Sequence, residues 1–348
     1  MSTLSNKYDA INLGQGFPNF DCHQGLKDRV NHYLQAGKNQ YCPMPGVLEL
    51  RQVLANKIEV LYQRKINPES EVTITAGATQ ALFTAISTFI KPDDEVIIFE
   101  PAYDSYSPSI QLAGGKVIPI KLTAPDYKID WIEVGAKINR QTKMMIINTP
   151  QNPIGRVLSS SDMDSLAAVL EDSNIILLSD EVYEHLIYDG LEHHSVLKYD
   201  SLWDRCMAVY SFGKTYHSTG WKLGYVVGPE RLMAAFRSVH QWNVYCVNSF
   251  IQYGLADFLK DEDQYLGLGK YYQAKRDLFI ENMYESSLKP LKSEGTYFQL
   301  YDYAEVSDLD DRDFSIWLIK EHGVASIPLS PFYTEGSGDR VVRLCFAK

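Results

Sequence analysis

The side chain best placed to do chemistry is Lys214. It stands in Ser211-Phe212-Gly213-Lys214-Thr215, directly after the apolar run Met207-Ala208-Val209-Tyr210. A lysine where a buried strand runs out loses hydration. That favours the neutral amine, a nucleophile that condenses with aldehydes. A hydroxyl, Ser211, precedes it by three residues, and a second cation, Lys222, follows it by eight. Plainer readings compete. A P-loop needs a glycine five positions before Gly213, where this chain has Ala208. The Ser-x-x-Lys pattern of penicillin-binding proteins has the companions Ser-Asp-Asn and Lys-Thr-Gly, but here stand Ser179-Asp180-Glu181 and Lys214-Thr215-Tyr216. A solvated loop lysine is the third reading, and the rest of the chain weighs against it.

Other reactive groups follow apolar runs in the same way. Asp180 ends Ile175-Ile176-Leu177-Leu178-Ser179, where a carboxylate is buried and needs a cationic partner. Tyr183 comes three residues later. Asn148-Thr149-Pro150-Gln151-Asn152-Pro153 follows Lys143–Ile147, and Glu100-Pro101-Ala102-Tyr103 follows Glu95–Phe99. Ala76-Gly77-Ala78-Thr79-Gln80 follows Val72–Thr75 and opens a helix, so its small residues let backbone N–H groups approach a phosphate. Each feature alone is weak: a strand–helix turn, a packed aromatic, an Asn-Pro turn.

Pyridoxal phosphate supplies the partners that this set lacks. Its aldehyde suits Lys214. Its ring nitrogen, once protonated, suits Asp180, which keeps the ring an electron sink. Asn152 and Tyr183 can hydrogen-bond its phenolic oxygen, and Tyr103 can stack on its ring, worth roughly 0.5–1.5 kcal/mol beyond area burial. Ala78, Thr79, Ser211 and Lys222 can hold its phosphate.

These residues demand a scaffold that delivers strand ends to one edge. Short, continuously apolar runs at 72–75, 95–99, 143–147, 175–178 and 207–210 alternate with helical stretches, which predicts a mostly parallel α/β sheet covered on both faces. Leu223–Val227 adds a strand, read as antiparallel. In such sheets ligands bind beyond the carboxyl ends of the strands. Beyond residue 231 the character changes: one long helical region, Arg231 to Leu259, then an α+β tail with strands at 295–300 and 341–344.

The chain has 348 residues, enough for two domains, with 45 % apolar residues for a sizeable core. Its net charge of −11 and lack of a basic stripe argue against nucleic acid. No apolar stretch approaches a membrane span, and residues 1–7 lack the apolar core of a signal peptide. Five scattered cysteines without a Cys-x-x-Cys pair predict no metal site and no disulfide framework, and fit a reducing cytoplasm.

In order, the chain carries Asn148-Thr149-Pro150-x-Asn152-Pro153-x-Gly155, Ser179-Asp180-Glu181-Val182-Tyr183, Ser211-Phe212-Gly213-Lys214-Thr215 and Thr219-Gly220-Trp221-Lys222. With these it resembles the class I aminotransferases of fold type I, in the branch of the kynurenine and bacterial methionine aminotransferases. The resemblance runs from Ile11-Asn12-Leu13-Gly14-Gln15-Gly16-Phe17-Pro18 to Arg343-Leu344-Cys345-Phe346. It implies a large cofactor domain at 31–240 around a seven-stranded sheet, and a small domain made of 1–30 and 241–348. It implies a homodimer in which Tyr41, in Gln40-Tyr41-x-Pro43-x-x-Gly46, reaches the other subunit's cofactor phosphate, while Tyr245 also crosses the interface. It places Gly16, Asn152 and Arg343 at the substrate α-carboxylate; read alone, Arg343 is a structural ion pair. Glu100-Pro101 and Asn152-Pro153 are expected cis. Met1 lies ten residues before Ile11 and the chain ends five residues after Arg343, so most of the family's N-terminal arm and its terminal helix have no counterpart here.

The expected activity is ping-pong transfer of an amino group from a large neutral amino acid (methionine, an aromatic, glutamine or kynurenine) to a 2-oxo acid. Lys214 serves as Schiff base and proton shuttle, with Asp180 and Tyr183 assisting. A cysteine-conjugate C–S β-lyase shares the same Cα carbanion and stays open at this level. So does a non-catalytic module of the same fold.

Overall fold

A computed structural model describes residues 1–336 and 339–348. At its centre is a seven-stranded sheet. In chain order its strands are β1 (Val72–Thr75), β2 (Glu95–Glu100), β3 (Lys116–Lys121), β4 (Thr142–Asn148), β5 (Ile176–Asp180), β6 (Cys206–Ser211) and β7 (Gly224–Val227). Across the sheet the order is β1-β7-β6-β5-β4-β2-β3. All neighbours are parallel except β7, which is antiparallel to both β1 and β6.

Alternation along the strands divides the core between the two faces. Ile97, Phe99, Met145, Ile147 and Leu177 pack with the helix Leu48–Tyr62 on one side. Val96, Ile98, Met144, Ile146 and Leu178 pack with the helices Ala78–Phe89 and Glu230–Asn243 on the other. Both faces are dry, which explains why these strands read as unbroken apolar runs.

Strand β3 has no counterpart among the sequence expectations. It is an edge strand, partly exposed, with a lysine at each end and Pro119 inside. Such residues protect an edge from further pairing and hide the strand from pattern reading.

The long helical region expected over Arg231 to Leu259 is two helices, Glu230–Asn243 and Ser249–Phe258. The break falls where the N–H groups of Val244 and Tyr245 both bond to His240 O and Tyr245 turns left-handed at φ 67°. The strand expected to begin at Gly295 begins at Phe298, because Thr296 is left-handed at φ 68°. The last strand, Val341–Cys345, lies one residue longer than expected.

Residues from both chain ends meet. Ile11–Asn12 pairs in parallel with Val324–Ala325. Ile327–Pro328, Val341–Cys345, Phe298–Asp302 and Lys289–Pro290 form an antiparallel sheet in that order. The peptides before Pro101 and Pro153 are cis, as are those before Pro125 and Pro150. No helix among the described residues is long and apolar enough to cross a membrane.

Candidate active site

Six strands run the same way and end at one edge of the sheet, and the antiparallel β7 begins there. Nine of the expected residues line a single cavity of about 180 Å³ at that edge: Ala78, Thr79, Tyr103, Asn152, Asp180, Tyr183, Ser211, Lys214 and Lys222.

Asp180 is the last residue of β5 and is buried. Its carboxylate accepts hydrogen bonds from the Tyr106 hydroxyl at 2.7 Å and the Val182 N–H at 3.3 Å. Burial pushes the carboxyl up to about 6, against the pull of these donors and of the Lys214 charge. Lys214 sits in the short helix Phe212–Thr215, where Ser211 Oγ caps its backbone N–H at 3.3 Å. Its Nζ donates to Tyr297 Oη at 2.9 Å and to Gly16 O at 3.1 Å. Loss of water, and then the positive charge of Arg343, lower the ammonium to about 8. Asp180 and Lys214 thus face one cavity without pairing with each other. A buried charge in that condition is waiting for a partner.

At the open side, the helix Ala78–Phe89 starts at Gly77 (φ 82°) with no side-chain cap, so its first N–H groups face outward toward the cavity. Lys222, itself left-handed at φ 54°, brings its ammonium over this turn, 3.7 Å from where a Cβ on Gly77 would lie. Ser211 and Thr79 add hydroxyls, and Thr79 also meets Tyr103 Oη at 3.3 Å. An uncapped helix start, two hydroxyls and an ammonium are groups that could hold a phosphate.

Arg343 lies in the middle of Val341–Cys345 and is buried. Its guanidinium packs 3.9 Å from the Phe298 ring centre and 5.1 Å from that of Phe332. It donates to Asn152 Oδ1 at 2.7 Å and to Gly14 O at 3.4 Å, while Nε has no partner among the described residues. None of the ion pairs among the described residues includes it, so the structural ion pair considered above is absent. Burial holds it below the usual guanidinium range. Asn152 is held in turn by its N–H on Asn148 Oδ1 (2.8 Å), and Asn148 Nδ2 donates to Asp180 O (2.8 Å). This chain of bonds links the arginine to the aspartate's strand.

Tyr183 is buried, its ring centre 5.7 Å from Lys214 Nζ and edge-on to Tyr297 at 5.2 Å. Gly16 is tied in through its carbonyl, and a Cβ there would meet Phe298 at 2.9 Å. Tyr41 and Tyr245 are not brought into this cavity. They touch each other edge-to-face at 5.5 Å on the exposed surface.

Three residues escaped the sequence reading: Tyr106, Asn148 and Tyr297. Tyr106 and Tyr297 reach the site from a helix start and a second sheet, so only their aromatic type was visible. Asn148 stood inside a recognised motif, and its place at a strand end was a usable signal.

A family model described as "Aminotransferase class I and II" matches residues 8–348. Methionine aminotransferase of Escherichia coli strain K12 is 46 % identical over 349 residues, covering 100 % of this chain and 90 % of that protein. Kynurenine–oxoglutarate transaminase 1 of Mus musculus is 34 % identical, covering 99 % of this chain and 90 % of its own length. An Escherichia coli crystal structure reported with a methionine aminotransferase function superposes with a TM-score of 0.98 at 46 % identity, covering 100 % of this chain and 91 % of that one. None of these three is named as a lyase or a non-catalytic module. With the sheet, the strand-end cavity and these full-length matches together, the chain belongs to the class I and II aminotransferases, pyridoxal-phosphate-dependent enzymes of fold type I.

Proposed function

We propose that this aminotransferase takes its amino group from a large, neutral amino acid such as methionine, an aromatic residue, glutamine or kynurenine, and passes it to a 2-oxo acid. One observation carries the reading: two charges, Asp180 and Lys214, line one cavity, a third, Arg343, is bonded to Asn152 of its lining, and none of the three has an ion-pair partner among the described residues. A cofactor with a basic ring nitrogen, an aldehyde and a phosphate, plus a substrate carboxylate, satisfies all of them.

The residues fit pyridoxal phosphate part by part. Asp180 would hold the protonated ring nitrogen. Asn152 and Tyr183 would address the phenolic oxygen, and Tyr103 the ring face. Ala78, Thr79, Ser211 and Lys222 would hold the phosphate, with Tyr41 of a second subunit covering its exposed side. Lys214 would be the point of attachment. When bound, this cofactor supplies an electron sink for the carbon that loses a proton.

The chain's own groups do the rest. Arg343, assisted by Asn152 and Gly16, grips the substrate α-carboxylate as a planar two-toothed donor. That fixes Cα relative to Lys214. Because the Lys214 ammonium is lowered to about 8, an appreciable neutral fraction exists near neutral pH to take the Cα proton at Nζ. The two half-reactions use the same residues in opposite order.

Selectivity for neutral side chains follows from charge. Arg343, which reaches the cavity's edge through Asn152, is committed to the α-carboxylate, and no arginine is among the residues that line the cavity itself. Phe17, Tyr41, Tyr103 and Tyr245 are proposed to surround the side chain. An acidic substrate would leave a carboxylate unpaired there, costing several kcal/mol, on the order of the penalty for a buried lone charge. The experiment compares kcat/KM for methionine, phenylalanine, glutamine, kynurenine and aspartate. Aspartate as the preferred donor would overturn the pocket reading. Borohydride reduction of the loaded protein followed by peptide mapping should place the cofactor on Lys214.

A further inference from the structure

Tyr297 is absent from every motif discussed above, yet it makes the shortest contact to the reactive lysine. It precedes the strand Phe298–Asp302 and is completely buried. Thr296, just before it, holds φ 68°, an uncommon conformation for a β-branched residue that persists only when the surroundings over-determine it. They do here. Thr296 N donates to Leu186 O at 3.0 Å, and the Tyr188 hydroxyl donates to Thr296 O. The Tyr297 ring is wedged between Tyr183 (5.2 Å), Phe298 (4.9 Å) and Tyr272 (6.0 Å). A strained turn and a packed ring therefore fix one hydroxyl.

That hydroxyl has a single hydrogen, and it is spent on Gly16 O at 2.7 Å. Its oxygen can meet Lys214 Nζ, 2.9 Å away, only with a lone pair. Gly16 O accepts from the same Nζ at 3.1 Å. Two acceptors thus take two of the amine's hydrogens. With Cε occupying a third position, one tetrahedral position of the nitrogen is left over: the lone pair of the neutral amine. Burial keeps the phenol well above its ordinary range, so it remains a neutral hydroxyl at working pH.

We infer that Tyr297 is a positioning residue for Lys214: with Gly16 O it holds the unattached amine and aims its free lone pair into the cavity between proton transfers. The inference rests on the proposed role of Lys214 and concerns the state in which that amine is free. Satisfying a buried tyrosine needs only the bond to Gly16 O. The second contact, to Lys214 in the cavity lining, is what a structural role leaves unexplained.

The test uses the full chain with Tyr297→Phe, which removes one oxygen from a packed ring. In the cofactor-free protein, Lys214 is labelled with trinitrobenzenesulfonate over a pH series and followed by peptide mass. The wild-type midpoint is expected near 8. Loss of an acceptor for the charged form should move the Y297F midpoint lower. In the loaded enzyme kcat should fall roughly 10- to 100-fold, the scale of a misplaced catalytic group, with KM changed by less than about threefold. An unchanged labelling midpoint overturns the inference. So does a raised KM with kcat intact, which would make Tyr297 a substrate contact. Should Y297F fail to fold, a crystal structure of the cofactor-free wild type decides: Nζ more than about 4 Å from the Tyr297 oxygen is no hydrogen bond and overturns the inference. Borohydride trapping at another lysine would instead sink the functional reading, leaving the labelling as the separate measure of the Tyr297–Lys214 bond.

Discussion

Asp180 is held against its own chemistry. Its ordinary value is 3.8, and burial raises it to about 6. The sign follows from linkage: a carboxyl raised on folding binds its proton more tightly in the native state, so stability falls as pH rises from about 4 to about 6 and stays reduced above that. Asp180→Asn removes this liability. In cofactor-free protein at pH 8, D180N should be more stable than wild type by about 1–3 kcal/mol, the free-energy equivalent of a shift of that size. The gap should close below pH 4. Denaturant titrations at the two pH values check this, and a D180N protein less stable at pH 8 would show that the carboxylate is only structural. Activity should move the other way. A neutral amide cannot keep a ring nitrogen protonated, so kcat should drop roughly 100-fold or more, the scale of a lost preorganised charge. Lys214→Ala should abolish multiple turnovers, since no other primary amine is held in that short helix; sustained turnover by K214A would rule out its assignment.

At the scale of elements, the site depends on strands and helix starts approaching more closely than side chains normally allow. Gly224 opens β7 between two of them. A Cβ there would lie 2.6 Å from Tyr210 O and 2.9 Å from Ala78 N. Both are backbone atoms, so a side chain cannot be accommodated by rotating something away. Gly224→Ala should therefore push β7 from β6 and displace the start of the helix Ala78–Phe89. Overpacking of this kind costs roughly 1–3 kcal/mol. Because the displaced helix start is the proposed phosphate site, cofactor affinity should fall together with thermal stability. A G224A protein with lowered Tm but wild-type cofactor Kd would separate the two and place the phosphate elsewhere.

At the scale of the molecule, Tyr41 and Tyr245 are the residues that one chain leaves without a task. Tyr41 is 84 % exposed while touching Tyr245, an expensive position for a large ring unless another surface covers it. Thr79 and Lys222 are also exposed, at the phosphate end of the cavity. We propose a homodimer with two-fold symmetry in which each Tyr41 closes the partner's site. Mixing equal amounts of Lys214→Ala and Tyr41→Phe subunits should rebuild one complete site per hybrid, restoring up to about a quarter of wild-type activity for random two-fold pairing. Failure to complement, or a fully active monomer in sedimentation, would defeat the proposal. We also propose the division into a cofactor unit, 31–240, and a smaller one joining 1–30 to 241–348. The helix Gln24–Gln35 crosses residue 30 and packs on Ser249–Phe258, so it forms the seam between them.

What could be read from the residues alone was whatever is local. Apolar runs bounded by Gly, Pro and polar residues gave five strands and the antiparallel sixth. Residues placed just after those runs, from Gly77 to Lys214, had to share one edge once the strands were parallel. The alternation of β with α leaves no other arrangement for short connections. Lys214, Asp180, Asn152 and Tyr183 were legible for that reason. The edge strand β3 was not, because its lysines and proline obey the need to block an edge rather than the need to fill a core. Nor was the break at Tyr245, a left-handed turn that an aromatic residue gives no sign of. Tyr106, bonded to Asp180, and Tyr297, bonded to Lys214, come from elements 74 and 83 residues away in sequence. Neither distance is encoded in any spacing. Only the packing of the second sheet against the first brings a phenol to the lysine, and only the tertiary arrangement takes the aspartate, the lysine and Arg343 largely out of water and leaves them with hydrogen-bond partners but no ion pair among the described residues.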